Sequence, residues 1–155
     1  MVLICFLIVQ LSKGDFLNTN IVRINDFFDK VYVINLERRT DRLSTINASL
    51  RRLNVSFETI KAIDGNSKDL IKQFKQLKKE GKIFSEPGSL GLSLTMLKTI
   101  RLAKEKNHRK ILWLEDDATF KLDFNFEFDK VIKRIPSNWT VLYLGCTLKN
   151  TRGCF

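Results

Sequence analysis

The chain has 155 residues, 44% of them hydrophobic and 28% charged, which fits one folded domain and excludes a disordered or collagen-like polymer. Lysine and arginine number 27 against 17 acidic residues, a net charge of +10. That excess favours anionic partners without choosing among nucleic acid, a phospholipid surface and phosphorylated small molecules.

The start, Val2 to Val9, is an unbroken apolar run too short to span a bilayer as a helix. A minimal signal core, a buried strand and a fragment of a membrane anchor all fit it, so residues 1–30 are set apart as an apolar segment and lead-in. Val31 to Leu36 is β-branched and apolar, and Leu43, Ile46, Leu50 and Leu53 follow at helical spacing. The pattern predicts a strand and then a helix that starts near an N-cap at Thr40 and stops at Asn54. Val55 to Ile63 reads as a second strand ending at the turn pair Asp64-Gly65.

Ser67 caps a predicted helix carrying Leu70, Ile71, Phe74 and Leu77, with Gly81 as its C′ residue. Pro87 and Gly88 then break the chain. A third helix presents Leu90, Leu94, Leu97 and Ile100 as its inward stripe and ends near Asn107. Lys110 to Leu114 is the most apolar strand. A last helix with Phe128, Val131, Ile132 and Ile135, closed by Pro136, precedes a final strand from Thr140 to Leu144. Apolar strands separated by amphipathic helices indicate an α/β protein with a mostly parallel, Rossmann-like sheet and helices on both faces. In such sheets ligands bind beyond the carboxyl ends of the strands.

The basic excess concentrates in Lys68 to Lys82 and Arg101 to Lys110, at spacings that fit solvated helix faces. No row of aromatics interleaves with those lysines as a base-stacking platform needs, which argues against a nucleic-acid groove. Cys5, Cys146 and Cys154 lack CxxC spacing, so no zinc site or disulfide framework can be read, although a Cys146 to Cys154 bridge stays open. His108 stands alone, which excludes a histidine-rich metal site and suits a surface or capping residue. Sequons at Asn47, Asn54 and Asn138 matter only in a lumenal protein, and the compartment, cytoplasm or endoplasmic reticulum lumen, stays open.

The sharpest feature is Ile111-Leu112-Trp113-Leu114-Glu115-Asp116-Asp117, carboxylates arriving directly after a buried strand. Adjacent negative charges repel, so they need full exposure or a bound cation. Mg²⁺ and Mn²⁺ take oxygen ligands and are held by one or two carboxylates plus substrate phosphates. A solvated acidic loop is the plain alternative. The first strand ends in Asn35-Leu36-Glu37-Arg38-Arg39-Thr40-Asp41-Arg42, with arginines at a helix start, where a phosphate or a surface salt-bridge patch fits equally. Asp64 can accept from a ribose or base, or simply make an Asp-Gly turn. Gly88-Ser89-Leu90-Gly91 lets backbone approach a ligand, or lets the helix pack close to the sheet.

In order and spacing, these segments resemble glycosyltransferase family 25, the group of bacterial lipooligosaccharide galactosyltransferases and animal procollagen galactosyltransferases. The likeness runs from Val31-Tyr32-Val33-Ile34-Asn35-Leu36 through Ala62-Ile63-Asp64-Gly65, the Gly-x-x-Gly helix and Leu114-Glu115-Asp116-Asp117 to Trp139-Thr140-Val141-Leu142-Tyr143-Leu144-Gly145. The resemblance implies a GT-A fold and transfer of a hexose, most often galactose, from a UDP-sugar to a hydroxyl of a glycan or protein acceptor, with inversion. It implies that residues 31–155 form the nucleotide-sugar-binding part and that Asn35, Arg38, Arg42, Asp64, Gly88 and Gly91 contact the donor. Glu115, Asp116 and Asp117 would hold Mn²⁺ or Mg²⁺. Two departures stand out. Where family members have Cys and then Ser-His along the Gly-x-x-Gly helix, this chain has Leu92 and Thr95-Met96. Family chains also continue past the closing Gly145 through an acceptor-binding half, so the sequence is expected to be a truncated member, with an inactive nucleotide-sugar-binding or interaction module as the alternative. No catalytic base is identified, since Glu127 and Asp129 are expected to be solvated.

Overall fold

The computed structural model describes residues 6–10, 21–82 and 84–145; Cys5, Cys146, Cys154 and the opening Val2 to Cys5 lie outside them. In chain order the elements are β1 (Phe6–Gln10), α1 (Ile24–Phe27), β2 (Lys30–Asn35), α2 (Thr40–Arg52), β3 (Glu58–Lys61), α3 (Lys68–Lys79), α4 (Pro87–Glu105), β4 (Lys110–Glu115), α5 (Phe124–Ile132) and β5 (Val141–Tyr143).

Strands β2 and β4 are apolar throughout because both of their faces are covered. Side chains alternate along each strand, so Val31, Val33, Leu112 and Leu114 fall on one face with Ile46 and Leu50 of α2 and Phe128 and Ile132 of α5. Tyr32, Ile34, Ile111 and Trp113 fall on the other, against Ala103, Leu92, Met96 and Ile100 of α4. The sheet order is β3-β2-β4-β1-β5. β2 is parallel to both β3 and β4, which gives the Rossmann-like α/β arrangement read from the sequence. β1 lies between β4 and β5 and runs antiparallel to both. Among the described residues no helix is long and apolar enough to cross a membrane.

Three helix stops fall where the sequence places them, whereas α5 ends at Ile132, short of the expected Ile135 and the closing Pro136. Asn54, Gly81 and Asn107 all have positive φ, at 56°, 75° and 57°. Each is followed by a residue whose N–H reaches back into the last turn: Val55 to the Leu50 carbonyl, Lys82 to Leu77 and His108 to Ala103. These are Schellman closures, which need a left-handed residue that Gly or Asn supplies at low cost. Ser67 caps α3 by accepting from the Leu70 N–H at 3.3 Å.

Four expectations are corrected. Thr40 is the first helical residue of α2, and Arg39 takes the cap position. The second strand is only Glu58–Lys61, because the Val55 N–H closes α2 and the Ile63 N–H donates to Thr95 Oγ1 at 2.9 Å instead of joining a ladder. Pro87 does not break the chain; it begins α4, where a missing N–H costs nothing. The inward stripe of α4 is Leu90, Gly91, Thr95, Thr99 and Ala103, whereas Leu97 is 45% exposed. Small residues let this helix approach the sheet closely. A Cβ on Gly91 would stand 2.6 Å from the Ile63 carbonyl oxygen, too close for any real contact. The threonines remain compatible with burial because their hydroxyls donate one turn back, Thr95 to the Gly91 carbonyl at 2.7 Å and Thr99 to that of Thr95 at 2.8 Å.

Asp129 is also not solvated. It is buried on α5, accepting from the Val22 N–H at 2.8 Å and Lys133 Nζ at 2.8 Å, and so ties residues preceding α1 to the core. His108 is half-buried, its Nδ1 2.9 Å from the Tyr32 hydroxyl, while its backbone N–H closes α4.

Candidate functional site

The carboxyl ends of β2, β3 and β4 open onto a cleft of about 210 Å³. Its lining includes Arg38, Arg42, Asp64, Gly88, Glu115 and Asp116, six of the nine residues singled out in the sequence. β4 delivers Glu115 to the cleft as its last residue, and the chain turns at once through Asp116 and Asp117. The first turn of α2 supplies Arg42 from across the sheet.

The acidic triplet divides into one satisfied carboxylate and two others. Asp116 is buried and fully engaged: Asn35 Nδ2 donates to its Oδ2 at 2.7 Å, and Arg42 Nη1 to its Oδ1 at 3.1 Å. Asn35 also donates to the Arg39 carbonyl at 3.0 Å, so the end of β2 fixes both the acidic turn and the start of α2. Arg42 Nη1 reaches Asp117 Oδ2 at 2.9 Å and bridges the two aspartates. Yet Glu115 Oε1 and Asp117 Oδ1 are buried with no hydrogen-bond partner.

An unpartnered buried carboxylate oxygen is costly, and the ionisation equilibria register it. Burial, reinforced by Asp117 and Asp116 and opposed by Arg42, pushes the Glu115 carboxyl up to about 7. Burial also raises Asp117, with Arg42 pulling the other way. Arg42, with a weaker contribution from Arg39, supplies too little positive charge for the group. Two orphaned, desolvated oxygens beside it are what a divalent cation would satisfy. No three acidic, histidine or cysteine side chains converge as a ready-made cage among the described residues. A cation shared between one or two carboxylates and a ligand phosphate does not require one. Glu115, which lines the cleft, and Asp117, which is not among its lining residues, would hold Mn²⁺ or Mg²⁺, with Asp116 as the residue that holds the turn.

At the opposite rim, Arg38 makes a two-pronged pair with Asp64, Nε to Oδ2 at 3.1 Å and Nη2 to Oδ1 at 3.2 Å. The Asn66 N–H, first, and then Arg38 hold the Asp64 carboxyl below its ordinary range. Gly65 lies against α4, since a Cβ there would meet Gly88 Cα at 2.7 Å. The two expected roles of the glycines thus separate. Gly88 lines the cleft, and Gly91 is a packing position against Ile63. Sequence reasoning missed the cleft-lining roles of Asn66, Leu92 and Thr95. Leu92 and Thr95 stand where the chain departs from the Gly-x-x-Gly pattern, the one signal that could have found them.

Comparison with known proteins identifies the family of the chain. The model of glycosyltransferase family 25, described as an LPS biosynthesis protein family, matches residues 28–151. Over 122 residues the chain is 30% identical to the "Putative glycosyltransferase R655" of Acanthamoeba polyphaga mimivirus, covering 77% of this chain and 38% of that protein. It is 28% identical over 131 residues to human "Inactive glycosyltransferase 25 family member 3", covering 76% of this chain and 22% of that one. It is 26% identical over 130 residues to human procollagen galactosyltransferase 2, covering 76% and 21%. The chain spans well under half the length of these curated relatives. No solved structure matches it. With the family model matching residues 28–151, most of its length, the chain belongs to glycosyltransferase family 25.

Proposed function

We propose that the cleft binds the diphosphate of a UDP-sugar together with Mn²⁺ or Mg²⁺, for transfer of a hexose, galactose in the first instance, to a hydroxyl of a glycan or hydroxylated protein acceptor with inversion. The observation that carries this reading is the pair of buried, unpartnered oxygens on Glu115 and Asp117 at the carboxyl end of β4. A bound cation would offset charge developing on the leaving diphosphate. Arg42 keeps Asp116 and Asp117 in register, and Asn35 fixes the turn they stand on. Arg38 and Asp64 face the same cleft from the other rim, where a guanidinium suits a phosphate and a carboxylate suits a ribose hydroxyl or base. Family membership and the relative named as a procollagen galactosyltransferase support the donor and acceptor classes.

A second reading, an inactive nucleotide-sugar-binding module, is favoured by Leu92 and Thr95-Met96 at the departing positions and by the relative named as inactive. Incubation with UDP-galactose, Mn²⁺ and a panel of glycan and hydroxylysine-peptide acceptors separates the two. Transfer should release UDP and glycosylated product together, faster than UDP release without acceptor. UDP binding with no product from any acceptor would assign the chain to the inactive reading.

A further inference from the structure

The donor site makes no use of a row of positive charge on α3. On α3, Lys68, Lys72, Lys75 and Lys79 recur at i, i+4, i+7 and i+11, a spacing that gathers them into one stripe along the helix. All of them are exposed. The lysine ion pairs among the described residues are made elsewhere, by Lys30, Lys61, Lys106, Lys130 and Lys133. Neither acidic residue of this stretch neutralises the stripe: Asp69 makes no ion pair among the described residues, and Glu80 accepts from Gln76 Nε2 at 2.7 Å. Like charges at i, i+4 repel and work against the helix that carries them, so the stripe has no structural benefit.

Beside it the apolar side of the same helix is incompletely covered. Leu70 is buried, whereas Ile71, Phe74 and Leu77 remain partly exposed, and Ile71 lies one turn from Lys75 and two turns from Lys78. α3 packs on α4, whose outward positions Leu97, Arg101 and Lys104 repeat the combination of exposed apolar and cationic side chains. A straight, rigid row of cations with an apolar edge matches a flat anionic surface whose interior is apolar. It does not match a nucleic-acid strand, because Phe74, the one aromatic of α3, is partly covered and has Lys78 Nζ over its ring at 5.9 Å.

We propose that the Lys68, Lys72, Lys75 and Lys79 face of α3, with Ile71 at its edge, docks this protein on membrane surfaces rich in anionic phospholipid. α3 begins directly after Asp64, Gly65 and Asn66, which line the cleft, so docking through it sets the cleft mouth beside the bilayer. This inference stands apart from the donor reading.

The test is vesicle co-sedimentation of the whole chain with phosphatidylcholine alone and with roughly one-third phosphatidylserine. Each lysine near such a surface is worth about fivefold in partitioning. Binding should therefore require phosphatidylserine, fall in high salt, and drop by about tenfold or more when Lys68, Lys72, Lys75 and Lys79 are all changed to Gln. A matched variant removes the same charge from the opposite face of the sheet, as Arg51→Gln, Lys121→Gln, Lys130→Gln and Arg134→Gln, and should lose far less. Thermal melting unchanged or raised, since the substitutions relieve repulsion along the helix, with unchanged UDP binding in the α3 variant confirms that neither fold nor donor site is damaged. Equal losses in the two variants would reduce the effect to net charge and overturn the proposal, as would binding indifferent to phosphatidylserine. Tighter retention on a single-stranded oligonucleotide, abolished by the α3 variant, would assign the face to nucleic acid instead.

Discussion

Replacing Asp117 with alanine is expected to weaken Mn²⁺-dependent UDP binding by about a hundredfold or more, because even groups that only orient a metal ligand are worth roughly 10–100-fold. The same substitution should leave the melting temperature of the metal-free protein unchanged or raise it. The reason is the environment of the carboxylate. Its Oδ1 is buried without a partner, and burial raises its pKa and so disfavours ionisation, so as an anion it destabilises the metal-free fold. Its contact with Arg42 is not essential to that arginine, which keeps Asp116 at 3.1 Å. Loss of binding with stability retained is the pattern of a binding residue; loss of both would make the aspartate structural. Calorimetric titration with UDP and thermal melting of the same preparation read the two quantities. Normal Mn²⁺-dependent affinity in the variant would reduce the acidic turn to a loop.

The second large effect concerns pH. Glu115 has its carboxyl raised from 4.5 to about 7 in the folded chain. Between those values the native state holds a proton that the unfolded chain has lost, so stability falls as pH rises through this window. Below about 4.5 the contribution vanishes, and above about 7 the whole penalty is felt. Asp117, also raised, adds in the same direction. The lowered carboxylates act elsewhere: Asp41, held at about 2 by its hydrogen bond from Arg39, loses its stabilisation only as pH falls through that value. Urea denaturation of metal-free protein at about pH 5 and about pH 8 should therefore show a decline that Glu115→Gln reduces by about 2 kcal/mol, discounted for the partial exposure of the group. Saturating Mn²⁺ should flatten the wild-type curve, since a cation favours the ionised form. Parallel curves for wild type and variant would mean that Glu115 is better solvated than its buried oxygen implies.

Local grammar made much of the fold legible. The stops at Asn54, Gly81 and Asn107 could be read because a left-handed closing residue leaves a residue-type signature, and Ser67 could be read because a cap needs a hydroxyl at one fixed position. The strand faces were legible through burial on both sides. What the sequence hid depends on partners far along the chain. Leucine spacing suggested Leu94 and Leu97 as the inner face of α4, yet close approach to Ile63 demanded the glycine and threonines instead. The capture of β1 between β4 and β5 has no local signature in an apolar run that fits a strand or an anchor equally. In the site, the acidic turn and the Asp64 turn were visible as motifs, but the bridge from Arg42 spans 74 and 75 positions in sequence and that from Asn35 spans 81. Asp129 looked solvated because, besides Lys133 one turn on, its other partner is the Val22 N–H, a distant backbone group no side-chain pattern reports.

The claim on which the functional reading depends is that Glu115 and Asp117 meet a diphosphate through a divalent cation. Isothermal titration of the chain with UDP, first with Mn²⁺ and then with excess EDTA, tests it directly. Carboxylates at the mouth of β4 repel a diphosphate unless a cation lies between them, so saturable binding is expected with Mn²⁺ and a collapse of affinity after chelation. Equal affinity in Mn²⁺ and in EDTA would contradict the metal bridge.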